Sequence, residues 1–163
     1  MSALLHERVE IAAPPAATLA IIEDPAALAR VLPGAEQVEA TGPGRFSCVI
    51  SARIQFMTVR AEVDARLSMP DPPRHLRLDL AGRPRGLAGS FEATIPFDLE
   101  PVESPAPTYR TAVTYSVDLR MTGRLAVFGA PLMRDTMRRQ IAQLVANVER
   151  EIMAADLADG TPR

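Results

Sequence analysis

The sequence has a single cysteine, no lysine, no tryptophan and no long uninterrupted run of apolar residues. Because Cys48 is alone, the chain can form neither an internal disulfide nor a cluster of thiolate metal ligands. A run of about 18 apolar residues, the usual minimum for a membrane-spanning helix, is missing. Residues 1–10 carry charges where a signal peptide would need an apolar stretch. These absences predict a cytoplasmic protein without a metal site.

The charge balance excludes a further class of partner. The formal net charge is −2, with 18 basic and 20 acidic residues, so the basic excess that favours nucleic acid is absent. Apolar residues make up 47% and charged residues 23% of the chain, which is ordinary for a globular protein. No linker or internal repeat divides the 163 residues. We predict one domain over residues 1–155 and a disordered tail over 156–163.

The first 31 residues predict a strand followed by two short helices. Residues 4–12 have the apolar spacing of a strand, which Pro14 and Pro15 then end. A helix follows over residues 16–23, since proline is tolerated in a first helical turn. Asp24 before Pro25 is typical of an N-cap followed by proline at the first helical position, and it predicts a second helix through Val31.

The rest of the chain changes once from the period of a strand to that of a helix. Apolar and polar residues alternate between residues 36 and 121, most regularly over 59–69, which predicts six antiparallel strands with one buried face. Residues 132–153 instead carry apolar side chains at helical spacing, over a length of about 33 Å. A one-sided sheet needs a cover, and only this helix is long enough. The predicted fold class is therefore α+β of the helix-grip kind: a curved, seven-stranded antiparallel sheet around a long C-terminal helix, with two short helices after strand 1.

The predicted inner face of the sheet contains no acid or imidazole. His6, His75 and Glu92 fall on the outer parity of their strands, among charged neighbours. A catalyst inside this fold would need an inward acid, base or nucleophile, and no metal-ligand spacing or phosphate-binding loop is present. The sequence therefore predicts a protein that is not an enzyme and has no cofactor. An enzyme of the cyclase or hydratase kind would require a shifted register that places His75 or Glu92 inside.

The interior can be a filled core or a ligand pocket. Small inner residues such as Ala61 and Ala93 permit either a close approach of the helix or a hollow. A closed, empty hollow of about 300 Å³, the low end for ligand pockets, would cost about 7 kcal/mol. It would therefore need an occupant or an open mouth. If a pocket exists, the inward residues predicted to bind an apolar ligand are Phe46, Ile50, Ile54, Val63, Leu78, Phe91, Ile95, Tyr109, Tyr115, Met133, Met137 and Ile141.

Two apolar stretches lie where polar turn residues are expected. Phe56 and Met57 occupy a predicted hairpin tip, and Leu125 and Phe128 lie in the loop before the last helix. Exposed apolar loops are typical of contacts with a partner protein or a membrane surface. The alternative is that both stretches fold over the open end of the sheet.

Four stretches of the sequence resemble one known family. They are residues 24–39 (DPAALARVLPGAEQVE), 44–46 (GRF), 82–90 (GRPRGLAGS) and 122–129 (TGRLAVFG). Together they resemble the CoxG family of carbon monoxide dehydrogenase subunits, which belongs to the START-like or SRPBCC superfamily. The likeness runs from about Leu4 to Ile152, and residues 32–34 (LPG) are its most specific part.

The resemblance implies a helix-grip fold, a hydrophobic cavity between sheet and helix, and no catalytic residues. It also implies a partner role for molybdenum hydroxylases of the carbon monoxide dehydrogenase type, in their maturation, their recruitment to the membrane or their handling of quinones. Two features depart from the family. Gln55, Phe56 and Met57 replace the usual Gly-Pro hairpin tip, and the chain ends at Arg163 where many members continue into a membrane anchor. We therefore expect any membrane contact to be transient and peripheral, at the inner face of the membrane.

These observations lead to three hypotheses. The first is a non-catalytic carrier or accessory protein for a hydrophobic small molecule, such as a quinone or a lipid, that serves a molybdenum hydroxylase complex. The second is an interaction module with a filled core, and the third is the cyclase-type enzyme.

Overall fold

The computed structural model describes residues 4–71, 74–102 and 110–158. Within them the elements, in chain order, are β1 (Leu5–Ile11), α1 (Pro15–Glu23), α2 (Pro25–Val31), β2 (Ala35–Gly42), β3 (Arg45–Ile54), β4 (Met57–Asp71), β5 (His75–Pro84), β6 (Phe91–Val102), β7 (Arg110–Met121), a 3₁₀ helix (Gly123–Phe128) and α3 (Ala130–Ala158).

All seven strands form one antiparallel sheet in the order β1-β7-β6-β5-β4-β3-β2. Strands β2 to β7 are neighbours in chain order, whereas α1 and α2 carry the chain from β1 at one edge to β2 at the other. The helix-grip fold predicted from the sequence is thus confirmed.

Strand β4 shows why the alternating pattern forms a one-sided sheet. Val59, Ala61 and Val63 are buried, while Glu62 and Asp64 between them are exposed. Successive side chains of a strand point to opposite faces, so one face of β4 meets the interior and the other meets solvent. The same alternation places His6, His75 and Glu92 at the exposed surface, as predicted.

The two short helices begin where proline and aspartate predict it. Pro15 and Pro25 each lie in the first turn of a helix, and Asp24 Oδ1 accepts a hydrogen bond of 3.0 Å from the backbone N–H of Ala26. The turn after α2 requires Gly34, which has a φ of +70° and faces the backbone carbonyl of Ser51 too closely for a β-carbon. This turn starts β2 beside β3.

Helix α3 packs against α1, α2, β1 and β3. Polar contacts along its length fix its position: Arg138 Nε lies 2.5 Å from Glu7 Oε1 of β1, and Asn147 Nδ2 donates a 2.9 Å hydrogen bond to the carbonyl of Val31. The helix extends to Ala158, three residues past the predicted end of the domain at 155. Residues 159–163 of the predicted tail lie outside the described residues.

Candidate ligand-binding cavity

A cavity of about 370 Å³ lies between α3, the two short helices and the inner face of the sheet. Its wall is contributed by the three helices, the 3₁₀ helix and the strands β1 and β3 to β7. The structure therefore contains a hollow where the sequence allowed either a hollow or a filled core. The volume falls within the range of small-molecule sites.

Most of the residues predicted to bind a ligand meet on this wall. The ones that line the cavity are Phe46, Ile50, Ile54, Val63, Leu78, Phe91, Ile95, Tyr115, Met133, Met137 and Ile141. Tyr109, the remaining one, lies outside the described residues. Ligand binding by this set stays a prediction.

The sequence interpretation missed the contribution of the short helices and of the link to β2. Seven residues from this part of the chain line the cavity: Thr18, Ile21, Ile22, Leu28, Val31, Leu32 and Pro33. Their apolar character was visible in the sequence, but helices of two turns give too short a pattern to show which side faces inward. Val9 and Ile11 of β1 also belong to the wall.

Small residues leave space between the middle of the sheet and α3. Ala61 of β4 and Ala93 of β6 line the cavity, and Gly82 of β5 presents no side chain at all. The ring of Phe91, which pairs with Gly82, occupies the space over the glycine backbone. Around Gly82 the floor of the cavity therefore consists of backbone and the ring of Phe91.

Four of the described lining residues carry a polar side chain: Thr18, Tyr115, Thr136 and Gln140. The two threonines hydrogen-bond within their own helix region, Thr18 Oγ1 to the carbonyl of Pro14 at 3.2 Å and Thr136 Oγ1 to that of Leu132 at 3.0 Å. Across residues 4–71, 74–102 and 110–158, neither Tyr115 nor Gln140 makes a side-chain hydrogen bond, and no ionisable carboxylate, guanidinium or imidazole lines the wall.

Tyr115 lies in the middle of β7, where only 5% of it is exposed. Burial raises the pKa of its phenol, and the nearby carboxylate of Glu7 raises it further, against the opposing effect of Arg138. The hydroxyl therefore stays protonated at neutral pH and remains a hydrogen-bond donor.

The two histidines lie at the surface, away from the cavity, and the cysteine is buried. His6 Nδ1 is 2.8 Å from Ser116 Oγ and His75 Nδ1 is 2.7 Å from Asp98 Oδ1, both at exposed positions. Cys48 is 5% exposed, and desolvation raises the pKa of its thiol, followed in importance by the charge of Asp64. Neither kind of group is placed to act on a molecule inside the cavity.

The four predicted contact residues differ in how far they are exposed. Phe56 is 92% exposed and Met57 is 47% exposed at the β3–β4 hairpin. Leu125 is only 3% exposed and lines the cavity, so the prediction that it is an exposed contact residue is wrong. The 3₁₀ helix turns Leu125 inward and leaves Val127, which is 83% exposed, on the surface in its place.

Phe128 is half-buried against a cluster that contains Ile54, Val59 and Met133. The same cluster joins the base of the β3–β4 hairpin to the start of α3. The exposed side chains of Phe56 and Val127 therefore lie at the same end of the molecule.

Two other kinds of site are absent from the described segments. None of the helices there is long and apolar enough to cross a membrane. Nor does that part of the chain bring together three or more His, Cys, Asp or Glu side chains as metal ligands would be.

Comparison with known proteins gives one family and one fold. The family model of the carbon monoxide dehydrogenase subunits called CoxG matches residues 8–153. The search of curated proteins found no match.

Three solved structures show the fold. A conserved protein from Geobacillus kaustophilus has a TM-score of 0.79 and 18% identity over 91% of this chain and 93% of its own. A START superfamily protein from Mycobacterium smegmatis has a TM-score of 0.62 and 12% identity over 93% and 97%. The Zhui aromatase/cyclase from Streptomyces sp. R1128 has a TM-score of 0.60 and 14% identity over 91% and 92%.

Proposed function

The chain belongs to the CoxG family of carbon monoxide dehydrogenase subunits, and on this premise we propose that it is a non-catalytic carrier of an apolar small molecule. The molecule occupies the cavity between the sheet and α3. The single observation that carries the proposal is the cavity itself, a hollow of about 370 Å³ with an almost wholly apolar wall.

The energetics of an empty cavity support an occupant. At about 24 cal/mol per Å³, the slope found for cavities made by substitution, a closed and empty void of about 370 Å³ would cost about 9 kcal/mol, which is an upper limit because this cavity is partly open to solvent. That is comparable to the whole free energy of unfolding of a domain. An apolar ligand that replaces the void or the poorly bound water in it therefore stabilises the protein.

The wall suits a long, flexible, apolar molecule such as a quinone or a lipid. Met121, Met133 and Met137 line the cavity, and methionine side chains adapt to irregular apolar shapes.

Because the family name refers to carbon monoxide dehydrogenase, we propose that the carrier serves a molybdenum hydroxylase complex of that type. The family membership supports this partner, and the cavity supports the ligand class.

Extraction and native mass spectrometry test the carrier function. The purified protein should release an apolar small molecule into organic solvent, and the stripped protein should bind a quinone or lipid in a titration. A variant that fills the cavity, Ala93→Phe, should bind at least about tenfold more weakly. Glu92→Phe, which adds the same ring on the exposed face, should bind as the parent does. A stripped and folded protein that ignores both ligands would contradict the proposal.

We further propose that the exposed end with Phe56 and Val127 touches the inner face of the membrane while ligand is exchanged. Arg53 and Arg139 lie at this end, since Arg139 Nη2 donates to the carbonyl of Arg53 at 3.3 Å. Apolar tips flanked by arginine suit an anionic lipid surface. Phe56→Ser should abolish flotation with anionic vesicles and leave the unfolding temperature unchanged. Retention by a protein complex instead, again lost in Phe56→Ser, would favour the interaction module.

A catalytic role is the remaining alternative, because one similar structure is an aromatase/cyclase. That hypothesis needed His75 or Glu92 inside, and both are exposed. We propose binding without catalysis. Turnover of a bound quinone or lipid by the purified protein would contradict it.

A further inference from the structure

We infer that the cavity selects uncharged amphiphiles whose hydrogen-bonding group reaches Gln140 or Tyr115, and discriminates against carboxylates of the same chain length. This inference rests on the carrier function proposed above. Its structural basis is the juxtaposition of two polar groups that have no hydrogen-bond partner among the described residues with a described wall that offers no compensating charge.

Gln140 is the first of these groups. It lies on the cavity side of α3, one turn from Met137 and Leu144, which also line the cavity. Gln140 is half-buried, so its amide is tolerated on this apolar stripe as long as water or a ligand bonds to it. In the described part of the chain its side chain has no hydrogen-bond partner, whereas Gln143, on the outside of the same helix, donates a 2.8 Å hydrogen bond to Asn147 Oδ1. The Gln140 amide is therefore left available to a ligand.

Tyr115 is the second group. Its residue is almost fully buried and its hydroxyl has no hydrogen-bond partner among the described residues. A phenol donates one hydrogen bond and accepts others, and an amide does both. A ligand with a carbonyl or hydroxyl group can thus bond to either side chain without carrying charge.

The two charges felt at Tyr115, those of Glu7 and Arg138, are paired with each other. Arg138, whose charge is felt at Tyr115, lies 2.5 Å from Glu7 Oε1. A carboxylate in the cavity would meet no free cation on the described wall, and an unpaired buried carboxylate is far more costly than an unpaired amide. The same head group as a ketone or alcohol loses little solvation and gains a hydrogen bond.

Displacement of the neutral dye Nile red tests the inference with three chains of equal length. The competitors are 2-dodecanone, dodecanoate and dodecane, each below its aggregation limit at pH 8, where the acid is ionised. We expect 2-dodecanone to compete at least about tenfold better than dodecanoate. Gln140→Leu and Tyr115→Phe should each reduce the preference for 2-dodecanone over dodecane about three- to tenfold. Gln143→Leu, the same change outside the cavity, should leave that preference as it is.

The outcomes separate this inference from the carrier function. If dodecanoate competes as well as 2-dodecanone, or if both cavity variants keep the parent's preference, the inference is overturned while the carrier function stands. If the folded, stripped protein binds neither Nile red nor any of the three chains, the carrier function is overturned and the inference with it. Circular dichroism of each variant establishes that it is folded.

Discussion

The ring of Phe91 lies where a β-carbon on Gly82 would be, across the pairing of β5 and β6. Phe91 lines the cavity and is half-buried. The glycine therefore determines how far an aromatic side chain can retreat toward the sheet. The width of the cavity at this point depends on the absence of one methyl group.

Gly82→Ala should narrow the cavity and destabilise the protein. The added methyl group overlaps the Phe91 ring, which must turn toward α3, and such overpacking costs about 1–3 kcal/mol. We expect a lower unfolding temperature and weaker binding of Nile red, measured by thermal denaturation and fluorescence titration. Adding Phe91→Leu to Gly82→Ala should restore part of both.

Gly42→Ala is the matched control for this prediction. A β-carbon there would meet only the side chain of Arg45, at 3.9 Å, an ordinary contact. The control should leave dye binding as it is. Equal effects of the two substitutions would show that glycine flexibility, and not the Phe91 contact, explains the result.

Sequence periodicity predicted the sheet and the long helix because both are buried on one side only. In β4 the alternation of Ala61, Glu62 and Val63 directly records which face meets the interior. Helix α3 is predictable for the same reason, from apolar residues at helical spacing. A strand or helix that is buried on one side only has apolar residues at a regular spacing, and this spacing can be recognised in the sequence.

The cavity could not be predicted in this way. Ala93 has the same side chain whether α3 approaches it closely or leaves a hollow above it, so composition cannot distinguish the two. The orientation of Leu125 depends on a 3₁₀ helix that has no clear periodic signal, and its burial was missed. Gln140 also lines the cavity but was not predicted to do so, because a single polar residue does not stand out within an apolar helical stripe.

Cys48 should react slowly with thiol reagents in the folded protein. Its side chain is buried and desolvation raises the pKa of the thiol, so the reactive thiolate is scarce and shielded. Labelling by Ellman's reagent should be at least about a hundredfold slower than in denaturant, where the chain is open. Because this is the only cysteine, the assay reads one site. Fast labelling of the native protein would show that β3 opens readily.

The bond between His75 and Asp98 should make stability depend on pH. The hydrogen bond to the Asp98 carboxylate raises the pKa of His75, and the charges of Asp98 and Asp71 add to this against burial and Arg74. A raised folded pKa means that the stabilisation is fully present below the unfolded pKa of about 6.5. It is lost as the pH rises through the higher folded value. His75→Gln should therefore lower the unfolding temperature more at pH 5.5 than at pH 8.5.

Asp98→Asn provides the partner control. It removes the carboxylate that raises the pKa of His75. Like His75→Gln, it should therefore lower the unfolding temperature more at pH 5.5 than at pH 8.5. The double variant should add little to either single one, because both remove the same interaction. Independent, additive losses at pH 5.5 would contradict a direct His75–Asp98 contact in solution.

Thr111 ties the end of β1 to the sheet through a buried hydrogen bond. Its hydroxyl donates to the carbonyl of Ala13 at 2.6 Å, and neither residue is appreciably exposed. Ala13 immediately precedes the turn into α1, whose Thr18, Ile21 and Ile22 line the cavity. Thr111→Val keeps the shape of the side chain but leaves that carbonyl without its partner. The expected loss is about 1–3 kcal/mol in the free energy of unfolding, measured by urea denaturation.

Thr114→Val distinguishes this bond from a general effect of threonine in β7. Thr114 is half-buried in the same strand, and its hydroxyl has no hydrogen bond within the described residues. The control should change the free energy of unfolding by less than about 0.5 kcal/mol. If Thr111 acts by holding α1 against the cavity, its variant should also bind Nile red more weakly after correction for the unfolded fraction. A pure loss of stability, with dye affinity unchanged in the folded fraction, would limit Thr111 to a structural role.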